Sequence, residues 1–178
     1  MTPRTQILAT GAVLFAMLAA PMTVSAQQVL DPIRVTAEAD RAEQRAADAA
    51  ASATTSSHFI KAARLYERAA AARPESDPRN AESLRKAATL HYYSGDLRRS
   101  AMLMERSAQR SASIGDVVNA ANTFIDAAIV ANELREGERA VALGDRARML
   151  MNSPLLSDTQ RSQLRGRIAR WAEVASLL

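Results

Sequence analysis

Few side chains in this chain could do acid–base or nucleophilic work. His58 and His91 are the two histidines among 178 residues, and there is no cysteine. Without cysteine there is no thiol nucleophile, no disulfide, no thiolate zinc site and no lipidated cysteine. Two histidines could complete a metal site only with carboxylates, which is not the usual zinc donor set. His91 falls on a position that packs between helices and reads as a structural imidazole. His58 stands at a helix start, with no acid or nucleophile that spacing pairs with it. Glu133 and Glu136 are i, i+3 neighbours, which on a charged helix describes a solvated face rather than a general-acid pair. No H-E-x-x-H, G-x-S-x-G, P-loop or dinucleotide-binding glycine pattern occurs, and the six glycines are scattered. The expectation is a non-enzyme, with no catalytic residue, metal or cofactor.

Recognition chemistry is better supplied. The net charge is +4 and the isoelectric point lies near 10.1, with Lys61 and Lys86 the only lysines. The positive charge is therefore mostly arginine, whose planar fork binds carboxylate and phosphate bidentately. Acids and bases alternate along the chain instead of forming a basic stripe, so no nucleic-acid partner is expected. Tyr92 and Tyr93 stand side by side, and tyrosine offers large contact area at small entropic cost.

The elements that must carry these residues are helical. Aromatics are 4% of the chain and alanine is abundant, which suits closely approaching helices rather than a sheet. Arg41 to Ser57 reads as a weakly apolar helix. His58 to Arg73 reads as a stronger one, with Phe59, Ala62, Ala63, Tyr66, Ala69 and Ala70 on one face. Pro74 and Pro78 separate it from Ala81 to Tyr93, which bears Leu84, Ala87, Ala88 and His91. Gly95 makes a turn, and Asp96 is a suitable N-cap for Leu97 to Ser111. Asp116 caps a helix carrying Ala120, Phe124, Ala127, Ala128 and Ala131. Glu136-Gly137 is expected to turn the chain into Glu138 to Met151. Ser157 and Gln160 form a capping-box pair before a last helix, whose stripe is Leu164, Ile168, Trp171, Ala175 and Leu178. At that spacing Trp171 is expected in the core.

Small residues recur in three aligned stretches. Ala50, Ala62 and Ala69 match Ala88, Ser100 and Ser107, then Ala128, Ala140 and Ala147. On these residues the stretch Ala81 to Ala108 resembles a tetratricopeptide repeat, a helical hairpin of usual period 34. Leu84 stands at its first large position, Ala87 and Ala88 at its Leu-Gly pair and His91 at its usual tyrosine. Gly95-Asp96-Leu97 matches its Gly-Asp-Tyr turn, and Pro74 its closing proline. The spacing here is longer, Ala62 to Ser100 and Ser100 to Ala140 being 38 and 40 residues, and Gly144 stands where a large residue is usual. The resemblance implies an all-α solenoid of about three hairpins with a C-terminal capping helix at 157–178. It also implies a concave groove lined by the first helix of each hairpin. That places Arg85, Thr89, Tyr92 and Tyr93 in the groove, joined by Asn122, Ile125, Ile129, Asn132 and Glu133 from the third unit.

The N-terminus is a separate object. Arg4, the apolar run Ile7 to Ala20 and the small residues at Val24-Ser25-Ala26 have the layout of a secretory signal peptide, expected to be cleaved after Ala26. The run is about fourteen residues, short of the ~20 that span a bilayer. Kept uncleaved, it would serve as an anchor instead. Residues 27–40 read as a flexible linker ahead of a repeat domain at 41–178. Within it, Leu30 to Ala37 resembles the energy-coupling box of TonB-dependent outer-membrane receptors, a strand able to pair with a sheet edge. The expected role is that of a periplasmic or secreted adaptor holding a protein or peptide partner in its groove, with no stable membrane span after cleavage. The alternative is a self-assembling structural subunit of the envelope, a homo-oligomer. A hydrolase with an unrecognised carboxylate site is a distant third.

Overall fold

A computed structural model describes residues 32–175. Seven helices follow one another in it: α1 Pro32–Ala51, α2 Ser56–Ala71, α3 Pro78–Ser94, α4 Leu97–Ser113, α5 Val117–Glu133, α6 Gly137–Leu150 and α7 Asp158–Ala175. No strand occurs among the described residues, and the all-α expectation is met. No helix among them is long and apolar enough to cross a membrane. The signal-peptide reading at 1–26 and the end of the last stripe at Leu178 lie outside the described residues.

Local chemistry sets most helix ends. Asp77 accepts a bond from the Arg79 amide, with Pro78 at the first helical position, where its missing N–H costs nothing. Asp96 and Asp116 accept from the amides of Arg99 and Asn119. Ser157 and Gln160 close a reciprocal capping box: the Ser157 amide donates to Gln160 Oε1 at 2.9 Å, and the Gln160 amide to Ser157 Oγ at 3.2 Å.

Three turns share one geometry. Gly95, Gly115 and Arg135 have φ of 87°, 79° and 63°. After each, the next amide reaches back to the last turn of the helix: Asp96 to His91 O, Asp116 to Ser111 O, and Glu136 to Ala131 O, each at 2.9 Å. This is the left-handed C-terminal cap that glycine fits best. The third turn departs from expectation. Arg135 takes the left-handed position, Gly137 opens α6, and Glu136 makes no side-chain cap bond.

From α1 to α6 each helix packs chiefly on its sequence neighbours, whereas α7 lies more on α5 than on α6. The recurring small residues sit in these contacts. Ala62, Ala69, Ala88, Ser100, Ser107, Ala128, Ala140 and Ala147 are all buried, and only Ala50 is partly covered. Small side chains let helix backbones approach, and Leu103, Ile125, Leu143 and Leu164 fill the spaces between. Gly144 is the tightest of these approaches. A Cβ there would lie within 3.0 Å of three carbons of the Trp171 indole. Trp171 is buried, and its bulk explains why a glycine stands where a large residue was expected.

One boundary is corrected. Residues 32–40 were expected to be linker, yet α1 begins at Pro32. Proline suits a first helical turn, and the following Glu38, Ala39 and Asp40 continue into α1, where Ala39 and Ala46 are buried. Ion pairs fix this start: the buried Arg73 reaches Asp40 at 2.8 Å and Glu43 at 2.5 Å. Pro32 to Ala37 is accordingly helical, not the extended strand implied by likeness to an energy-coupling box.

Candidate functional site

Polar links between helices two apart fall into two sets. One joins odd-numbered helices. Lys86 of α3 pairs with Glu43 of α1 at 3.3 Å, Tyr92 of α3 donates to Glu133 of α5 at 3.0 Å, and Arg167 of α7 pairs with Asp126 of α5 at 2.6 Å. The other joins even-numbered helices. Arg99 of α4 pairs with Glu67 of α2, and Glu105 of α4 accepts from Arg139 and Arg146 of α6.

The odd set carries most of the expected site. Arg85, Thr89 and Tyr92 follow one another at steps of four and three along α3, so they share a face. The bond from the Tyr92 hydroxyl to Glu133 Oε1 brings that face against α5, whose Ile129 is 41% exposed. The hydrogen bond to Glu133 raises the Tyr92 pKa, because ionisation would lose that bond and set a phenolate against a like charge. Thr89 bonds back to the Arg85 carbonyl of its own helix. Arg85 stays exposed at the rim of a depression of about 320 Å³, between the N-terminal halves of α3 and α5.

Tyr93 is 63% exposed yet ordered by its neighbours. Its ring lies 5.9 Å from Phe59 of α2 and 6.0 Å from Tyr92, the latter pair edge-on. Such offset and edge-to-face pairs are attractive through the ring quadrupoles. Phe59 was read from sequence only as a helix-face residue. Its place beside Tyr93 depends on how α2 crosses α3, which no local pattern records.

Two expected site residues lie elsewhere. Ile125 is 1% exposed and belongs to the core, because its face of α5 points to the neighbouring helices rather than outward. Asn122 is half-buried and accepts from Arg167 of α7 at 2.7 Å, so it is engaged at the α5–α7 contact, away from the tyrosines. Asn132 is half-buried near the end of α5.

The histidines divide as their positions suggest. His58 is exposed at the start of α2. His91 is buried, with Nε2 donating to Glu67 Oε1 at 2.8 Å and Nδ1 3.6 Å from Asp96 Oδ2. Burial alone would raise the Glu67 pKa, but hydrogen bonds from Arg99 and His91 outweigh it and hold the carboxyl below its ordinary range. Among the described residues no three histidine or carboxylate side chains are grouped as metal ligands.

Compared with protein-family models, curated proteins and solved structures, the chain matches no family, no curated protein and no solved structure.

Proposed function

We propose that this chain is an exported, tetratricopeptide-like helical repeat protein that serves as an adaptor, docking a protein or peptide on the surface formed by its odd-numbered helices. Three observations support the repeat reading: left-handed turns at residues 95, 115 and 135, buried small residues at matching positions, and polar links that keep odd and even helices in separate sets. In that reading the helices pair as stacked hairpins and α7 covers the open end.

The observation that carries the docking surface is the ordered exposure of Tyr93. An aromatic held by Phe59 and Tyr92, with Tyr92 tied to Glu133, loses little freedom when a partner covers it. Arg85 and Ile129 add a charge and an apolar contact beside it.

A photo-crosslinking residue at Tyr93, compared with one at the exposed Arg98 of α4, tests the proposal in the cell envelope. A partner trapped from position 93, absent from position 98 and lost in Tyr92→Ala/Tyr93→Ala with circular dichroism unchanged, is the expected result. Equal trapping from both positions would remove the site.

Self-assembly remains a second reading, favoured by apolar residues exposed on α6. Val141 is 51% and Met149 65% exposed, on a helix that α7 covers only lightly. Mass growth with concentration in light scattering, suppressed by Val141→Glu/Met149→Glu, would favour it.

A further inference from the structure

A second site is built on the other set of helices, and it is independent of the docking surface. A depression of about 400 Å³ lies between α2 and α4, within the volume range of small-molecule sites. Arg64 and Arg68 of α2 and Arg106 of α4 line it. All three are exposed, and none has an ion-pair partner among the described residues. Some arginines, such as Arg73, Arg99 and Arg167, are ion-paired and others, such as Arg85 and Arg98, are not; what marks Arg64, Arg68 and Arg106 is that three unpaired arginines line one depression. The carboxylate among the lining residues, Glu67, is already occupied by Arg99 and His91. It therefore does little to neutralise the three guanidinium groups.

The floor holds a second signal. Asn80 is 5% exposed and lines the same depression. Its Nδ2 donates to the carbonyls of Ala70 at 2.9 Å and Arg73 at 3.2 Å, which fixes the orientation of the amide. Its Oδ1 is buried without a partner. A buried acceptor left unpaired costs free energy that a ligand donor would recover. The site thus asks for an anion at its rim and a hydroxyl or amide donor at its floor.

We infer that this depression binds an organic phosphate monoester: the phosphate engages Arg64, Arg68 and Arg106, and a hydroxyl or amide N–H of the same molecule donates to Asn80 Oδ1. A phosphate dianion suits three unpaired cations, since each guanidinium can present two parallel donors to its oxygens. A phospholipid headgroup and a soluble sugar or polyol phosphate present the same chemistry.

Nitrogen-15 NMR at low salt tests this, with Asn80 Nδ2–H and arginine Nε–H resonances as local reporters. The probes are glycerol 3-phosphate, inorganic phosphate and vesicles containing phosphatidylglycerol. Expected are saturable shifts at Asn80 with glycerol 3-phosphate, and at least about tenfold weaker binding in Arg68→Gln/Arg106→Gln. Arg98→Gln, an exposed arginine of α4 outside the depression, should bind as wild type. Vesicle binding lost in the same double variant, together with glycerol 3-phosphate binding, would identify the lipid headgroup as a source. Soluble binding alone would identify the free phosphate ester. Vesicle binding without glycerol 3-phosphate binding, equal affinity for inorganic phosphate, equal weakening by Arg98→Gln, or no shift at about 10 mM ligand would each overturn the inference.

Discussion

Replacing Gly144 by alanine should destabilise the protein, although Gly→Ala in a helix ordinarily does the reverse. Alanine is favoured over glycine inside a helix by about 0.5–1 kcal/mol, and Gly144 lies within α6. Against this, the new Cβ would approach Trp171 Cζ2 to 2.9 Å and two further ring carbons more closely still. Both residues are buried, so neither has solvent to move into. Forcing a methyl into a packed contact costs about 1–3 kcal/mol, and shifting the indole also forfeits part of the burial of a large aromatic. The net expectation is a loss of about 2 kcal/mol, or a fall in Tm of about 4–8 °C for a domain of this size. Trp171 is the only tryptophan, so its emission reports the contact directly during urea unfolding. The folded variant should emit further to the red than the wild type. Gly166 of α7 provides the internal control. A Cβ there meets nothing nearer than an Arg170 nitrogen at 3.7 Å, and Gly166→Ala should stabilise by about 0.5–1 kcal/mol. Adding Trp171→Leu to Gly144→Ala should recover part of the loss, since the two side chains share one space. Equal stabilisation by Gly144→Ala and Gly166→Ala would refute the packing argument.

Other perturbations test the turns and the buried charges. Arg135→Gly should stabilise by about 1 kcal/mol in urea denaturation, because a side chain is strained at φ 63° and Arg135 is exposed. Arg73→Met removes the cation that holds Asp40 and Glu43, and amides of α1 should then exchange at least about tenfold faster while those of α5 do not. Because the folded Glu67 pKa is depressed, its contribution is present above the ordinary glutamate value of about 4.3 and is lost as pH falls through the folded value. The urea midpoint should therefore fall more steeply from about pH 5 to pH 3 in wild type than in Glu67→Gln, and at pH 7 the variant should be the less stable.

The helices were legible where apolar spacing, caps and turn glycines agreed, as at Gly95-Asp96 and at Ser157 with Gln160. Legibility failed where one signal outweighed another. Pro32 and the alternation of Ile33 and Val35 suggested a linker, yet proline at a first turn followed by Glu38-Ala39 is a helix start. That start is held through Asp40 by Arg73, which lies 33 residues beyond Asp40. Glu136-Gly137 looked like the third turn because glycine favours left-handed backbone, whereas regular spacing after Gly95 and Gly115 put Arg135 there instead. Of the expected site residues on α3, Arg85, Thr89 and Tyr92 share one face, since one helix face follows from one period. On α5 the period was insufficient. Ile125 and Ile129 are four apart, yet one is covered and the other open, because the boundary of the buried stripe runs between them. Only the packing of α7 reveals that Asn122 is engaged, and the partner, Arg167, lies 45 residues away.

An alanine-lined core explains why so much of the specificity here is polar. Alanine contributes one methyl to each contact, so many alternative helix crossings would bury similar apolar area. Two features remove that degeneracy. Places where backbones come close admit only small residues, as Gly144 does beneath Trp171. Charged pairs between second neighbours, such as Arg99 with Glu67 and Arg167 with Asp126, require each helix to stand at one angle to the helix two before it. Those pairs are partly solvated, and partly solvated pairs add little stability individually. Their larger effect is selective: a crossing that separated them would leave half-buried carboxylates such as Glu67 and Glu105 without partners. Among the described residues Arg64, Arg68 and Arg106 take part in no such pair, which leaves their guanidinium groups open to the anion proposed for the depression they line.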